Sequence, residues 1–593
     1  MAITERKDTA GYVIDILDEE FEDFTTEARA YLAGQRVEEK FIGYRLKQGV
    51  YGQRQPNVQM LRVKLPMGGV TADQLDAFAE VTERFAPLKK GHITTRENVQ
   101  IHHIPLPLAW DALRVLGRAG LSTREACGNT VRNVTGDPWA GVADDETFDA
   151  TPYAGAFVRY FVRNPLTQLL PRKFKVSFSG SDTDRTIGEI HDLAFFSTIR
   201  EVDGKEERGF RILTGGGLSI MPKHAFELYD FVPLSDYLRV SEAVLRIFNR
   251  SDELRRNRAK ARIKFLVHRV GIEKFREMVE AELTGAWAQR EYDLDDLVFI
   301  DNEEADAPEL PAEAPTIAEE HADLFERFCA TNVAPQVQAG YSTMEVKVNQ
   351  GDLSPEQFRG LADILRRHGA SRARTTHWQN IVLRWIPDNS VYPVWRELRA
   401  LGLGNPGAYE INDVVSCPGT DSCKLGITSS MGLNKAIQAK VEEMHIQDPL
   451  TRQILINMSG CPNSCGMHHV GNIGFHGAAI KTGGRQVPAY HTFIGGNRRY
   501  GSPMRLGLLL RTRVPAKRAP AVVERLILDY EENRESDDES FNEYVDRYDR
   551  LYFDGLLKDL ALPPEYDDEP EHFVDWDRDR LYVLERGEGE CAV

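Results

Sequence analysis

Two stretches of the chain carry the same pattern of apolar and polar positions. "MLRVKLPMGGVTADQLDAFAEVTERFAP", from Met60, opens with alternating residues, passes through a Gly-containing turn, and continues with apolar positions at helical spacing. Alternation places successive side chains on opposite faces of a strand, whereas spacing of three and four places them on one face of a helix. "MEVKVNQGDLSPEQFRGLADILRRHGA", from Met344, repeats that order, and in both a Ser or Thr stands where a helix needs an N-cap. A second strand follows each, in "GHITTRENVQI" and "SRARTTHWQNIVL". Farther on, "LLPRKFKVSFSGSDTD" from Leu169 pairs with "TRQILINMSGCPNSCG" from Thr451. Three pairs in one order, about 280 residues apart, predict two fused halves rather than a solenoid.

Strands alternate with helices throughout, so the expected class is α/β (α+β). The expected division is an N-terminal arm over 1–45, a small unit over 46–115, a larger α/β unit over 120–290, a linker over 300–325, a second small unit over 326–405, a second α/β unit over 406–560, and an acidic tail over 561–593. The linker reading rests on the Pro, Ala and acidic residues of "DNEEADAPELPAEAPTIAEEHADLF".

Composition narrows the function. The chain has 593 residues, 42% apolar and 28% charged, ordinary for a globular enzyme. A formal net charge of −18 argues against a general nucleic-acid binder. Much of that charge lies in "DYEENRESDDESFNEYVDRYD" and "PPEYDDEPEHFVDWD", which read as a solvated acidic face or tail. No run of about eighteen apolar residues suggests a membrane span, and the N-terminus has no apolar signal core. The expected location is the cytoplasm, where thiols stay reduced. No G-x-G-x-x-G follows a strand; "LTGGGLSI" lacks that spacing, so neither a nicotinamide nor a flavin site is expected and electrons must come from another protein.

Four of the seven cysteines fall in two short segments, "SCPGTDSCKLG" and "SGCPNSCG", as C-x5-C with Cys417 and Cys423, then C-x3-C with Cys461 and Cys465. Thiolate is a soft ligand for iron–sulfur clusters or zinc. Paired zinc ligands usually stand two to four residues apart, and a five-residue loop can wrap a bulkier object. Cys417 and Cys461 each precede a proline, which stiffens the loop, and Gly419, Gly460 and Gly466 permit close backbone approach. Spacing alone leaves a [4Fe–4S] cluster, zinc, and simply buried cysteines open. Cys329 and Cys591 have no evident partner.

These segments, with "MLRVKLPMGG", "TTRENVQIHH", "CGNTVRN", "LPRKFKVSFSG" and "GGGL" in the same order, resemble the sirohaem-dependent sulfite and nitrite reductases. The resemblance spans roughly Phe41 to Gly555. It implies an internally duplicated fold of two pseudo-symmetric halves, each a ferredoxin-like half-domain plus a larger α/β domain. It implies a [4Fe–4S] cluster on Cys417, Cys423, Cys461 and Cys465, with Cys465 also bridging to the sirohaem iron. Arg62, Arg132, Lys173 and Lys175 take the family's anion-binding and proton-delivering places. Arg96 and Gln100 match residues that hold the macrocycle, with His102 a third; a structural strand histidine is the alternative there. Arg262 and Lys264 reach sirohaem carboxylates or form a basic helix surface, and Asn463 orients the cysteine loop. Tyr51 and Cys127 occupy the place of a Tyr–Cys pair found in some relatives, so a thioether link and plain packing both stand open.

The implied reaction is assimilatory six-electron reduction of sulfite to sulfide, with nitrite to ammonium as the alternative. Two lysines in K-x-K suit a dianion better than a monoanion, because each added cation strengthens the pull on a double charge. Ferredoxin or a flavoprotein is the expected donor, docking on a local basic patch, for which "RTRVPAKR" (Arg511 to Arg518) and "ELRRNRAKARIK" are candidates. A monomer is expected, since the duplication supplies both halves; the dissimilatory enzymes and a zinc-stapled scaffold are the rival readings.

Overall fold

The computed structural model describes residues 4–5, 13–181, 183–292, 297–587 and 589–590. Both copies of the repeat form as their patterns predict. Strand Val58–Val63 leads through a turn, in which Met67 takes a φ of 54°, to helix Ala72–Arg84. Strand Tyr341–Val346 leads through Gln350, φ 59°, to helix Pro355–His368. Each helix starts with a capping box: Thr71 Oγ1 accepts from Gln74 N, Ser354 Oγ accepts from Gln357 N, and each glutamine reaches back to its cap. Such boxes satisfy amides that the first turn cannot pair internally.

The two small units exchange strands. One sheet runs Asp352–Leu353, Gly91–Ile93, Val99–Pro105, Val58–Val63, Val50–Gly52; the other runs Val333–Pro335, Tyr341–Val346, Ile381–Pro387, Arg372–Thr375, Gly69–Thr71. Each thus takes an edge strand from the other copy, antiparallel in both cases. Helices Ala72–Arg84 and Pro355–His368 meet at Phe78 and Phe358, ring centroids 5.6 Å apart, within one shared apolar core.

Each larger unit has a five-stranded sheet whose first three strands are parallel and last two antiparallel. The first contains Thr135–Gly136, Val176–Ser179, Leu193–Val202, Lys205–Thr214 and Phe226–Pro233. The second contains Val415–Ser416, Ile456–Ser459, Ile473–Thr482, Arg485–Ile494 and Leu508–Pro515. Both have their own apolar cores. Small and large units are keyed by matching bonds: Gln55 Nε2 donates to the Asp421 carbonyl (2.8 Å), and Gln338 Nε2 to the Gly141 carbonyl (2.9 Å).

Two segments differ from expectation. The linker is not a free tether, because its acids meet buried arginines of the second small sheet. Asp301 and Asp306 hold Arg372, and Glu303 holds Arg384 (2.9 Å) and Arg374 (3.4 Å). Nor is the acidic C-terminal segment a solvated tail: Phe573, Asp575, Tyr582 and Glu590 are all buried. Cys329 packs against the shared core, and Cys591 lies outside the described residues. Among the described residues no helix is long and apolar enough to cross a membrane.

Candidate cofactor and anion site

The cysteines stand beyond the carboxyl ends of parallel strands, where open α/β sheets present their ligand sites. Cys417 directly follows strand Val415–Ser416, and Cys461 follows Ile456–Ser459 by two residues. Asn457 Nδ2 donates to the Gly466 carbonyl (2.9 Å) and Gly466 N donates to Ser459 Oγ (3.0 Å), so the strand holds the turn that carries Cys465. Backbone amides point at sulfur: Gly460 N lies 3.3 Å from Cys417 Sγ, Leu425 and Gly426 N–H face Cys423, and Asn463 N–H faces Cys461. Asn463 therefore reaches the loop through its main chain.

Burial, then the Cys465 thiol, pushes Cys417 up to about 12, and the same causes raise Cys423 and Cys461. Four mutually repelling sulfurs in a half-dry pocket favour a group that brings positive charge, which matches the soft donor set and the N–H donors of an iron–sulfur cluster. Among the described residues no three His, Cys, Asp or Glu side chains converge as a single metal ion would need.

Against Cys465 lies a cationic pocket. Thr95 Oγ1 donates to the Cys465 carbonyl (2.7 Å), bringing the tight turn of "TTREN" to the thiol loop. Arg96, in that turn, is buried; burial and the cations Arg262 and Arg132 press its guanidinium down to about 9, against the pull of Glu97 and Asp192. Arg96 Nη1 donates to His191 Nε2 (3.0 Å), while Nε and Nη2 are buried with no hydrogen-bond partner. Unsatisfied buried donors are costly, so this fork is shaped for an anion, as the carboxylates of a macrocycle would be.

Lys175 is held well below the ordinary lysine value by burial first, then by Arg96, Lys173 and Arg262, with Cys465 opposing. Arg62 and Arg132 share one acceptor, the Ala126 carbonyl, each at 3.3 Å, and Arg132 also donates to the Gly128 carbonyl at 2.8 Å and 3.0 Å. The structure therefore brings Arg62, Arg96, Arg132, Lys173, Lys175 and Cys465 into one neighbourhood. Gln100 lies across the sheet from Arg62; with its amide turned so that the oxygen faces the guanidinium, that oxygen accepts from Arg62 Nη2 (2.9 Å) and Nε (3.0 Å), and the nitrogen donates to His102 Nε2 (3.2 Å). Burial keeps His102 neutral, and its Nδ1 has no partner. Cys127 is buried in a small apolar cluster against Tyr51, with Arg62 Nη1 3.2 Å from its sulfur.

Arg262 and Lys264 are buried rather than on a basic surface, and their donors face protein. Arg262 makes a fork on Asp192 (2.7 Å and 2.8 Å), and Lys264 Nζ donates to the carbonyls of Gly217, Leu218 and Met221. Asp192 in turn accepts from the Lys175 amide (2.7 Å), so this pair sets the position of Lys175. His191, Asp192 and Asn133 are orienting residues not singled out in the sequence. His191 donates from Nδ1 to the Ile187 carbonyl, which leaves Nε2 as the acceptor for Arg96, and Asn133 Nδ2 holds the Arg96 carbonyl (3.0 Å). A signal existed in "EIHDLAFF", where a His-Asp pair directly precedes an apolar strand.

A thiolate loop set against a buried cationic pocket, on a duplicated α/β scaffold, defines an iron–sulfur oxidoreductase acting on small anions. Residues 127–286 and 408–549 match the nitrite and sulphite reductase 4Fe-4S domain, and residues 51–114 and 334–401 match the nitrite/sulfite reductase ferredoxin-like half domain. The chain belongs to this nitrite and sulfite reductase family. Sulfite reductase (ferredoxin) 1 of Mycolicibacterium paratuberculosis is 31% identical over 497 residues, covering 83% of this chain and 82% of its own. The ferredoxin–nitrite reductase of Synechococcus elongatus is 29% identical, covering 80% of this chain and 86% of its own. The solved structure of the Mycobacterium tuberculosis NirA protein matches with a TM-score of 0.73 at 26% identity, covering 92% of this chain and 98% of that one.

Proposed function

We propose that this protein reduces sulfite to sulfide, consuming six electrons and six protons and releasing three waters, with electrons from ferredoxin. The observation that carries this reading is Lys175, set between a cluster of fixed cations and the Cys465 thiol. Cys417, Cys423, Cys461 and Cys465 would hold the [4Fe–4S] cluster, and Arg96, with Gln100 and His102, would meet the sirohaem. Bound together, these groups would supply redox-active iron and a store for electrons.

The chain's own residues bind the anion and move protons. Arg62 and Arg132 fix the oxyanion through planar forks. Lys175, held down by burial and its cationic neighbours, rises toward protonation when an anion arrives, because an opposite charge favours its ammonium. It can then give that proton to an oxygen leaving as water. Arg262 and Asp192 keep the lysine in place through each turnover.

Sulfite is favoured by the second cation, Lys173, and by sulfite reductases among the relatives. Nitrite is the second reading, supported by the nitrite reductase of Synechococcus elongatus at comparable coverage. The test is steady-state reduction of both anions, with reduced methyl viologen and then with ferredoxin, on protein whose visible spectrum is recorded first. A higher kcat/KM for sulfite is expected, and a clear preference for nitrite would overturn the substrate assignment. Arg511 and Arg513 are exposed on strand Leu508–Pro515 and offer cations to an acidic donor. A cytoplasmic monomer fits thiols that must stay reduced and a duplication that builds the site within one chain.

A further inference from the structure

The last part of the chain lies beyond the residues that match the family domains, which end at 549. It is nonetheless laid along the segment between Cys417 and helix Ser430–Glu443, touching it at successive residues. Arg578 pairs with Asp421 (2.6 Å). Gly587 N donates to the Lys424 carbonyl (3.0 Å), Tyr582 Oη donates to the Ile427 carbonyl (3.0 Å), and Asp575 Oδ2 accepts from Ser429 N (2.8 Å). Gly589 is packed so closely that a Cβ there would stand 2.8 Å from Leu425 Cδ1.

The segment ends in a clasp. Glu590 is only 3% exposed, yet its carboxylate is fully engaged. It accepts from both terminal nitrogens of Arg45 (2.7 Å each), from Lys424 Nζ (2.8 Å) and from Gly52 N (2.8 Å). One side chain therefore joins three parts of the molecule: the N-terminal arm, the strand that carries Tyr51, and the residue next to Cys423. Arg45 and Lys424 outweigh burial and hold this carboxyl below its ordinary value.

The position of the clasp gives it a role. Leu425 and Gly426, whose amides face the Cys423 sulfur, follow directly on Lys424. Donors to sulfur and exclusion of water are two of the levers that set a cluster's potential. We propose that residues 575–587, with Gly589 and Glu590, form a strap that positions the Cys423 loop and shields it from solvent, with Glu590 as its lock. The strap acts through the loop, so its residues are positioning residues. The inference rests on Cys417, Cys423, Cys461 and Cys465 holding the cluster.

The test compares the holoenzyme with Glu590→Ala, Tyr582→Phe and a chain ending at Leu562. Three quantities are read: anaerobic loss of cluster iron to a chelator, the cluster midpoint potential by redox titration with spin resonance, and the visible spectrum of sirohaem. Removing one partner from a buried ion pair opens the segment it locks, so iron loss in Glu590→Ala should quicken by about tenfold or more. A shifted cluster potential with an unchanged sirohaem spectrum should accompany it. Tyr582→Phe deletes a single hydroxyl and should give a smaller change in the same direction. Wild-type iron-loss rate and potential in Glu590→Ala would overturn the proposal, and the two point variants decide the matter if the shortened chain does not fold. Wild-type protein that carries no cluster signal would instead overturn the ligand assignment on which the strap depends.

Discussion

Arg96 and Lys175 divide the pocket's work, and each has its own signature. Arg96 keeps two buried nitrogens without a partner, so its fork is built for a ligand that arrives with negative charge. Arg96→Ala should yield folded protein with little bound sirohaem, seen as lost visible absorbance while thiol-bound iron is retained. In the proposed reaction Lys175 is the proton donor. Lys175→Met should keep both cofactors and lower kcat/KM for sulfite by about 10²–10³-fold, the usual loss when one preorganised donor is removed from a dry site. Lys175→Arg restores charge but not an easily lost proton, so it should recover KM while leaving kcat low. Equal recovery of both in steady-state assays would remove the proton-transfer role.

At the scale of elements, the decisive feature is how tightly the thiol loop is folded on its strand. A Cβ on Gly466 would stand 1.9 Å from the Met458 carbonyl oxygen and 3.1 Å from the Cys417 amide, both backbone atoms that cannot yield. Gly466→Ala should therefore cut bound iron and labile sulfide by about tenfold, whereas Gly555→Ala, with nothing within 4 Å of its Cβ, should leave both unchanged. The basic strand Leu508–Pro515 makes a separate prediction. Reversing charge at Arg511 and Arg513 should raise KM for ferredoxin and leave methyl-viologen activity intact, because a rim charge steers a protein partner and not a small dye. These elements were legible in the sequence because strand, turn and capped helix are local patterns repeated twice. The exchange of Gly69–Thr71 and Asp352–Leu353 between the sheets was not, since edge pairing between distant segments leaves no local period. Nor was the strap: Asp575, Asp577 and Glu590 read as solvent-loving until Ser429, Lys435 and Arg45 are seen beside them.

Across the whole molecule, duplication has produced one site and one plug. Arg62 faces Gln100 across its sheet, and in the second copy Glu345 faces Val382. The turn that presents Arg96 is closed by Thr94 N on the Asn98 carbonyl; its counterpart, closed by Thr376 N on the Asn380 carbonyl, presents Trp378, packed with Tyr409 and Tyr500. In the first copy, the places of Cys417, Cys461 and Cys465 after the parallel strands hold Asp137, Ser181 and Arg185: Arg185 pairs with Asp137 and Asp145, and Ser181 Oγ donates to Asp145. The repeat was visible in the sequence, but which copy is filled could be read only from residues that meet across the fold. Such a buried polar interior makes stability depend on acid. Burial holds His102, His191, His377 and His468 well below the ordinary value, His469 at about 3 and His491 at about 4. Their folded values are depressed, so the stability they contribute is present above about 6.5, the unfolded value, and is lost as pH falls toward the folded values. Glu97, Glu146 and Glu345, raised to about 8 by burial, act with the opposite sign, because they are already protonated in the fold while the unfolded chain must still take up those protons. Between about pH 6.5 and 5 the unfolded chain takes up protons at these imidazoles that the fold refuses, so they draw stability down as pH falls, with the buried carboxyls offsetting part of the loss. Denaturant titrations at pH 7, 6 and 5 should show a midpoint that falls across that window, and a rising midpoint would mean that the buried carboxyls outweigh these histidines.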